Sequence, residues 1–238
     1  MDNSKCVVLV PVGSNIEPDC ETGLRGLEER GYSVRRVRGY AAIDKGRSQM
    51  ATDALTDGFE ELMWIDSDVA FDPDDVDKLR RHDLPVVCGI YPKKGRRELS
   101  CHLMPGTTVV VFGAQGGLTT IFYAATGFLL TKRQVYQDVQ KKFDLPVCNK
   151  RFNKEVVPYF LPLVVPDGEH GHWYLGEDFA FSERAKKAGY EIMADTSIRL
   201  HHIGRYSYSF EDAGSALQRF GTYHLNLTPQ PGTPATNK

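Results

Sequence analysis

Apolar, β-branched runs alternate with amphipathic helical stretches over residues 6–91, and this alternation constrains the fold more than any other feature. The pattern predicts strands over Cys6–Val12, Tyr32–Val37, Glu61–Ile65 and Pro85–Tyr91, with helices over Cys20–Arg30, over Gly46–Thr56 and from Asp72-Pro73 onward. Repeated strand–helix–strand units favour a mostly parallel central sheet with right-handed crossovers. We therefore expect an α/β fold that binds its ligand at the carboxyl ends of the strands.

The second half of the chain has a more mixed pattern, which predicts a smaller β region beside the main sheet. We expect short strands over Leu99–Met104 and Thr107–Phe112, in a pattern compatible with a hairpin, and a strand over Thr119–Thr126 that runs on through Gly127 to Leu130. Helices are expected over Lys132–Phe143 and Glu177–Ala188, with an irregular region over Pro146–Trp173 between them. Late strands are expected over Tyr190–Ile192 and Ile198–His202. A single catalytic domain over residues 1–227 is predicted, with halves of about 1–92 and 93–227. The Pro- and Thr-rich residues 228–238 form a predicted disordered tail.

Composition excludes several classes of protein. Lys and Arg number 29 against 31 Asp and Glu, so no basic surface for nucleic acid is expected. The five cysteines contain no C-x-x-C pair, which favours reduced thiols over a zinc site or a disulfide framework. No run is long enough for a membrane span and no export signal is visible. We expect a cytoplasmic protein, with attachment at the inner membrane face as an open alternative.

Two carboxylates follow the predicted strand Glu61–Ile65 directly, in the sequence Asp66-Ser67-Asp68. If the extended conformation continues, both side chains point to the same side of the strand. Two like charges so close favour a divalent cation, and hard oxygen ligands suit Mg²⁺ or Mn²⁺. The alternative is a polar turn with solvated acids.

A second acidic pair, Glu177-Asp178, opens a predicted helix after Gly176. A helix N-terminus stabilises carboxylates, so either acid should be ionised and able to accept a proton. The alternative is the ordinary preference of acidic residues for the first helical turn.

These motifs resemble those of GT-A glycosyltransferases, and the resemblance covers most of residues 6–205. The segment from Gly176 to Tyr190 is similar to the G-E-D-x-x-F-x-x-R-x-x-x-x-G-Y segment of family-2-like inverting enzymes. The resemblance implies a Rossmann-like GT-A sheet and transfer of a sugar from a UDP- or GDP-sugar to the hydroxyl of a glycan, lipid or small molecule. It also implies that Asp178 acts as the catalytic base, with Glu177 assisting.

The resemblance further implies a ligand set and a donor site. The metal ligands would be Asp66, Asp68 and His202, because His202-Ile203-Gly204 occupies the position of a family H-x-G segment; whether His201 or His202 faces the metal is left open. The implied nucleotide-sugar contacts are Pro11, Gly13, Ser14, Asp44, Arg47, Asp66, Ser67 and Gly127.

Other classes of protein remain open as alternatives. Retaining glycosyltransferases share the fold and the D-x-D motif. A nucleotidyltransferase would show a Gly-rich basic loop after its first strand, which the sequence after Val12 lacks. A non-catalytic nucleotide- or carbohydrate-binding module would need no base. The basic run Lys93–Arg97 could contact an anionic acceptor or a membrane surface, although solvated loops commonly have such a composition.

Overall fold

The computed structural model describes residues 1–204, 206–214 and 222–227. Its helices are α1 (Pro18–Glu29), α2 (Ile43–Thr56), α3 (Pro73–Arg81), α4 (Arg133–Phe143) and α5 (Glu177–Lys187). Its strands are β1 (Cys6–Val12), β2 (Ser33–Arg38), β3 (Glu61–Ile65), β4 (Val69–Ala70), β5 (Val86–Cys88), β6 (His102–Leu103), β7 (Val109–Gly113), β8 (Leu118–Tyr123), β9 (Phe128–Lys132), β10 (Leu163–Pro166), β11 (His172–Leu175), β12 (Ile192–Asp195), β13 (His201–Ile203), β14 (Ser207–Tyr208) and β15 (Thr222–Asn226).

A central sheet of eight strands has the order β2-β1-β3-β9-β5-β12-β8-β6. Strands β2, β1, β3, β5, β12 and β6 run in one direction, while β9 and β8 run against them. The pairs β10-β11 and β15-β7 and the three strands β14-β13-β4 form small separate sheets. The prediction of an α/β fold with a mostly parallel central sheet and a smaller β region is confirmed.

Side-chain alternation along the strands builds a core on each face of the sheet. Within β3, Leu62 and Trp64 pack on the face covered by α2, α4 and α5. Met63 and Ile65 pack on the opposite face, which α1 and α3 cover. A strand buried on both faces reads as one continuous apolar run, which explains why β3 was recognisable in the sequence.

The predicted start of α3 is also confirmed. The Asp72 side chain accepts a 2.9 Å hydrogen bond from the amide of Asp74, and Pro73 is the first helical residue. The backbone amide of Asp72 in turn donates to the Asp75 side chain, which completes a capping box.

Three predictions for the second half are wrong. The strands near Leu103 and Val110 do not form a hairpin, because β6 pairs with β8 and β7 pairs with β15. The predicted strand from Thr119 to Leu130 is two strands, since the chain leaves the sheet after Tyr123 and re-enters it at Phe128 between β3 and β5. The region Pro146–Trp173, predicted to be irregular, contains β10 and the start of β11.

Partner choice among short strands depends on distant segments, so the local pattern could not show these pairings. The division into halves and the single-domain boundary at residue 227 stay predictions. The predicted tail over 228–238 lies outside the described residues. None of the helices that the structure describes has the length and apolar character needed to cross a lipid bilayer.

Candidate active site

Residues from five elements meet at one edge of the central sheet. Asp66 follows the carboxyl end of β3, and Tyr91 lies just beyond the carboxyl end of β5. Strand β9 runs in the opposite direction, so its first residues, preceded by Gly127, reach the same edge. The first turn of α2 brings Arg47 to this edge, and the first turn of α5 brings Glu177. This is the edge where ligands bind in parallel α/β sheets.

Arg47 lies at the centre of a charge cluster, which we define as the buried Arg47 and Tyr91 with the half-buried Asp66, Glu177 and Asp178. Its side chain is 5% exposed. Nη2 donates a 2.8 Å hydrogen bond to Oδ1 of Asp66, and Nε lies 3.9 Å from Oε1 of Glu177. Burial lowers the pKa of Arg47, but the attraction of Asp66 and Glu177 outweighs it and raises the pKa above its ordinary value.

Two side chains in this region, Arg47 and Thr126, have buried polar atoms without a hydrogen-bond partner among the described residues. Nε and Nη1 of Arg47 are buried and have no hydrogen-bond partner among the described residues. The hydroxyl of Thr126, beside Gly127, is likewise buried without a partner in the part of the chain that the structure describes. Buried donors are nearly always paired in a functional state, so these groups are available to a polar ligand or an ordered water.

Gly127 allows the backbone to approach Asp66 closely. Its amide donates a 3.0 Å hydrogen bond to the Tyr91 hydroxyl, and its carbonyl accepts one of 3.0 Å from the amide of Asp66. A Cβ at this position would overlap the Tyr91 hydroxyl and lie 2.7 Å from Oδ2 of Asp66. Only glycine leaves this space free, so the sequence requires glycine here for packing rather than for an unusual backbone angle.

Asp178 has a pKa suited to accepting a proton near neutral pH. Burial and the neighbouring charge of Glu177 raise the pKa of Asp178 from 3.8 to about 6, although its own helix contributes a 2.8 Å hydrogen bond from the amide of Phe179. The sequence predicts that the helix N-terminus favours the ionised form of this acid. Burial and like-charge repulsion dominate instead, which brings Asp178 closer to the pKa of an efficient general base.

Asp68 belongs to a second, more exposed group with His202. The chain turns after β3, since the amide of Val69 donates a 3.0 Å hydrogen bond to the carbonyl of Asp66. The extended conformation therefore ends here, and the condition under which Asp66 and Asp68 would point to the same side is not met. Asp66 contacts Arg47, while Oδ1 of Asp68 lies 3.6 Å from Nε2 of His202.

Strand pairing explains why His202 and not His201 faces Asp68. Strand β13 pairs with β4, and the amide of Ile203 donates a 2.7 Å hydrogen bond to the carbonyl of Asp68. The His202 ring is oriented by a 2.9 Å contact between Nδ1 and the carbonyl of Pro92. His201 projects to the other side of the strand, where its Nδ1 lies 3.3 Å from the Ser207 hydroxyl.

The predicted three-residue metal site is not assembled as such. Nowhere in the described residues do three or more His, Cys, Asp or Glu side chains gather closely enough to hold an ion. Asp68 and His202 nevertheless fit a divalent cation as a pair. A carbonyl can only accept, so Nδ1 of His202 carries a proton and Nε2 can present its lone pair towards Asp68. The 3.6 Å separation is within the roughly 3 to 4 Å shown by two atoms that ligate one ion.

The charge of Asp68 is already stabilised. Burial raises the pKa of Asp68, but its interactions with His202 and Lys94 outweigh burial and lower the pKa to about 2. The Nζ of Lys94 lies 2.5 Å from Oδ2 of this carboxylate. Asp68 is therefore ionised across the physiological range, as a metal ligand must be.

The predicted donor-binding residues lie in two places. Pro11, Gly13 and Ser14 are at the end of β1 and in the loop that follows it. That loop is held beside Ser67, whose carbonyl accepts a 2.8 Å hydrogen bond from the amide of Glu17. Asp44 lies in the first turn of α2, and its side chain makes no hydrogen bond or ion pair to any residue in the described ranges.

Sequence reasoning missed Tyr91 and Lys94. The signal for Tyr91 was its place at the end of a predicted strand, where site residues of α/β sheets are found. Its side chain is buried, its hydroxyl accepts from Gly127, and its ring packs edge-on against His202 at 5.1 Å. Burial and the charge of Asp66 raise the pKa of Tyr91 well above its ordinary value, so the hydroxyl stays protonated. Tyr91 thereby joins the charge cluster to the Asp68–His202 pair.

Known structures show the fold but no family. The chain is similar to the crystal structure of A197 from STIV, with 18% identity, a TM-score of 0.56, and coverage of 90% of this chain and 97% of that one. A weaker similarity is to a glycosyltransferase involved in glycosylation of the major capsid of PBCV-1, with 12% identity, a TM-score of 0.33, and coverage of 56% of this chain and 62% of that one. Another is to S. aureus TarS in complex with UDP-GlcNAc, with 12% identity, a TM-score of 0.38, and coverage of 86% of this chain and 57% of that one. No protein-family profile and no curated protein matches the sequence.

Proposed function

We propose that this protein is a metal-dependent glycosyltransferase that takes a sugar from a UDP- or GDP-sugar and transfers it to an acceptor hydroxyl with inversion. The observation that carries the proposal is the meeting of Asp66, Arg47 and the Glu177–Asp178 pair at the carboxyl edge of the sheet, with Asp68 and His202 alongside. The fold likeness to A197 from STIV is compatible with this proposal and does not by itself identify an activity.

The donor side would use the residues at the ends of β1 and β3. Asp68 and His202 would hold a Mn²⁺ or Mg²⁺ ion, which would supply positive charge to the departing nucleoside diphosphate. The unpaired Nε and Nη1 of Arg47 would donate to a donor oxygen, because a guanidinium suits phosphate geometry. The loop of Pro11, Gly13 and Ser14 lies beside Ser67, where the nucleoside would bind.

The acceptor side would use the first turn of α5. Asp178 would remove the proton from the acceptor hydroxyl as it attacks the sugar carbon, and the raised pKa of this carboxyl makes it an effective proton acceptor near neutral pH. Glu177 would face Arg47 and hold the base and the guanidinium in position. A nucleotidyltransferase whose nucleophile is a phosphate would have less use for a base of this pKa, because that nucleophile is already an anion.

A titration with metal and nucleotide tests the proposal. Thermal stability would be followed with Mn²⁺ or Mg²⁺ and a panel of UDP- and GDP-sugars and free nucleoside diphosphates. We expect one nucleotide family to stabilise the protein only when metal is present, and Asp68→Ala to abolish the effect. Asp57→Ala, at the exposed end of α2, is the matched control and should respond like the wild type.

Products would then separate the remaining alternatives. Inversion would appear in the NMR anomeric signals of the product. Consumption of a nucleoside triphosphate with release of pyrophosphate would instead assign a nucleotidyltransferase. No metal-dependent stabilisation by any nucleotide would contradict the proposal.

A further inference from the structure

The basic segment Pro92–Glu98 is folded into a short turn beside the Asp68–His202 pair. The amide of Lys93 donates a 2.8 Å hydrogen bond to the carbonyl of Glu98, and Pro92 and Leu99 form an antiparallel bridge. Gly95 lies at the tip with a φ of +67°, a conformation that favours glycine. The segment therefore holds its lysines in defined positions.

Lys94 extends from this turn to the carboxylate of Asp68. Its Nζ lies 2.5 Å from Oδ2, and the two side chains are 35% and 34% exposed. The aliphatic part of Lys94 passes over Gly204, where a Cβ would lie 3.2 Å from Cδ of the lysine. Packing as well as charge thus places the ammonium group on Asp68.

The same carboxylate carries both interactions. Oδ2 binds Lys94, and Oδ1 faces Nε2 of His202 at 3.6 Å. An ammonium group and a divalent ion held by one carboxylate would lie only a few ångströms apart, where like charges repel strongly. Asp68 can therefore bind either the ammonium group or the divalent ion tightly, but not both at the same time.

We propose that Lys94 is a resident cation of Asp68 that a divalent ion must displace, so that this lysine sets the ion affinity of the site. The proposal rests on the proposed function only in taking Asp68 and His202 as the ligands. When an ion binds, Lys94 leaves the carboxylate and its ammonium group becomes free at the mouth of the site. The Pro92–Glu98 turn is then a part of the protein that responds to metal.

Calorimetric titration of Mn²⁺ alone into three proteins tests the competition. Lys94→Met keeps most of the aliphatic stem and removes the charge. Lys93→Met is the matched control, because Lys93 forms a comparable 3.0 Å pair with Glu98 at a more exposed position. We expect Lys94→Met to tighten the Kd about fivefold or more, since displacement of a charge-assisted hydrogen bond is no longer needed. Lys93→Met should stay within about twofold of the wild type. An unchanged or weaker Kd for Lys94→Met would overturn the proposal.

Lysine labelling of the wild type gives an independent test that does not depend on the folding of a variant. A short pulse of acetic anhydride, with and without saturating Mg²⁺, is read by mass spectrometry at each lysine. Acetylation of Lys94 should rise several-fold with Mg²⁺ while that of Lys93 stays constant. No change at Lys94, or protection of it, would contradict displacement.

Both experiments use metal without nucleotide, so their outcome is separate from that of the proposed function. Competition at Lys94 in a protein that binds no nucleotide sugar would support this inference and contradict the transferase proposal. Nucleotide-sugar binding that needs no metal, together with an unresponsive Lys94, would overturn the inference and leave a donor site of a different kind.

Discussion

Arg47 donates a 2.8 Å hydrogen bond to Asp66 from a position that is almost completely buried. The same guanidinium faces Glu177 at 3.9 Å, so one cation serves a residue from the D-x-D motif and a residue from the first turn of α5. Asp178 lies close enough for its charge to affect the pKa of Arg47 as well. Three carboxyl groups around one cation leave an excess of negative charge, which Asp178 relieves by titrating near neutral pH.

Arg47→Met should destabilise the protein strongly because it leaves the half-buried carboxylates of Asp66 and Glu177 without a cation. We expect a loss of at least about 2 kcal/mol in the free energy of unfolding, measured by urea denaturation. Combining Arg47→Met with Asp66→Asn should restore part of that loss, since the second change removes the unpaired charge. Arg35→Met is the control: its 2.8 Å pair with Asp57 is more exposed than the Arg47–Asp66 pair, and its loss should cost below about 1 kcal/mol. Equal effects of the two arginine substitutions would argue against a structural role for the buried pair.

Asp178→Asn should stabilise the protein while removing its activity. The unfolded carboxyl titrates near 3.8 and the folded one near 6, so folding becomes less favourable as pH rises through this window, and the full penalty is present above it. Asparagine carries no such penalty. We expect a gain of about 1–3 kcal/mol in urea denaturation at pH 7.5, with turnover lowered at least about 100-fold and nucleotide binding retained. The exposed Glu191→Gln should change neither quantity. A destabilised but active Asp178→Asn would remove this residue from the role of base.

The rate should depend on pH through the same carboxyl group. The ionised form of Asp178 is the form that accepts a proton, so kcat/KM should fall about tenfold per pH unit below about 6 and level off above it. The measurement is a profile from pH 5 to 8 at saturating metal, with the folded fraction checked by circular dichroism at each pH. A flat profile over this range would mean that another group, or none, accepts the proton.

Gly127→Ala should disturb the site through steric overlap. The new methyl group would collide with the Tyr91 hydroxyl and press against Asp66, and we expect a loss of about 1–3 kcal/mol together with weaker nucleotide binding. Gly117→Ala, where a Cβ would meet no atom within 4 Å, is the matched control and should be nearly neutral. Combining Gly127→Ala with Tyr91→Phe should recover part of the lost stability, because the second change removes the hydroxyl oxygen that lies nearest to the new methyl group. A neutral Gly127→Ala would show that the backbone can shift without consequence.

The sequence predicted the first half of the fold well because its signals are local. Strand β3 matches its predicted range from Glu61 to Ile65, and α3 begins at Pro73 as expected. Both depend on a buried apolar run or a capping motif, which are properties of a few adjacent residues. The place of β9 depends on which edges of β3 and β5 were free, a property of the whole chain that no local pattern records.

The candidate site was predicted in its residue types more than in its arrangement. The acidic motifs identified Asp66, Asp68 and Asp178, yet a single turn after β3 directs the first two towards different partners. Arg47 was predicted to contact the donor, and the structure adds that its Nη2 holds Asp66 in place. Lys94 was hidden within a run of basic residues whose composition alone favours a solvated loop.

The insertion of β9 between β3 and β5 also bears on how the chain can be made. A nascent chain that has released only residues 1–92 has both neighbouring strands but lacks the segment that must separate them, Phe128–Lys132. The two strand edges stay unpaired until that segment leaves the ribosome, and unpaired edges promote association between chains. While about forty further residues are synthesised, the nascent chain is therefore prone to association through these edges. A chaperone that shields strand edges during this interval would raise the yield of native protein.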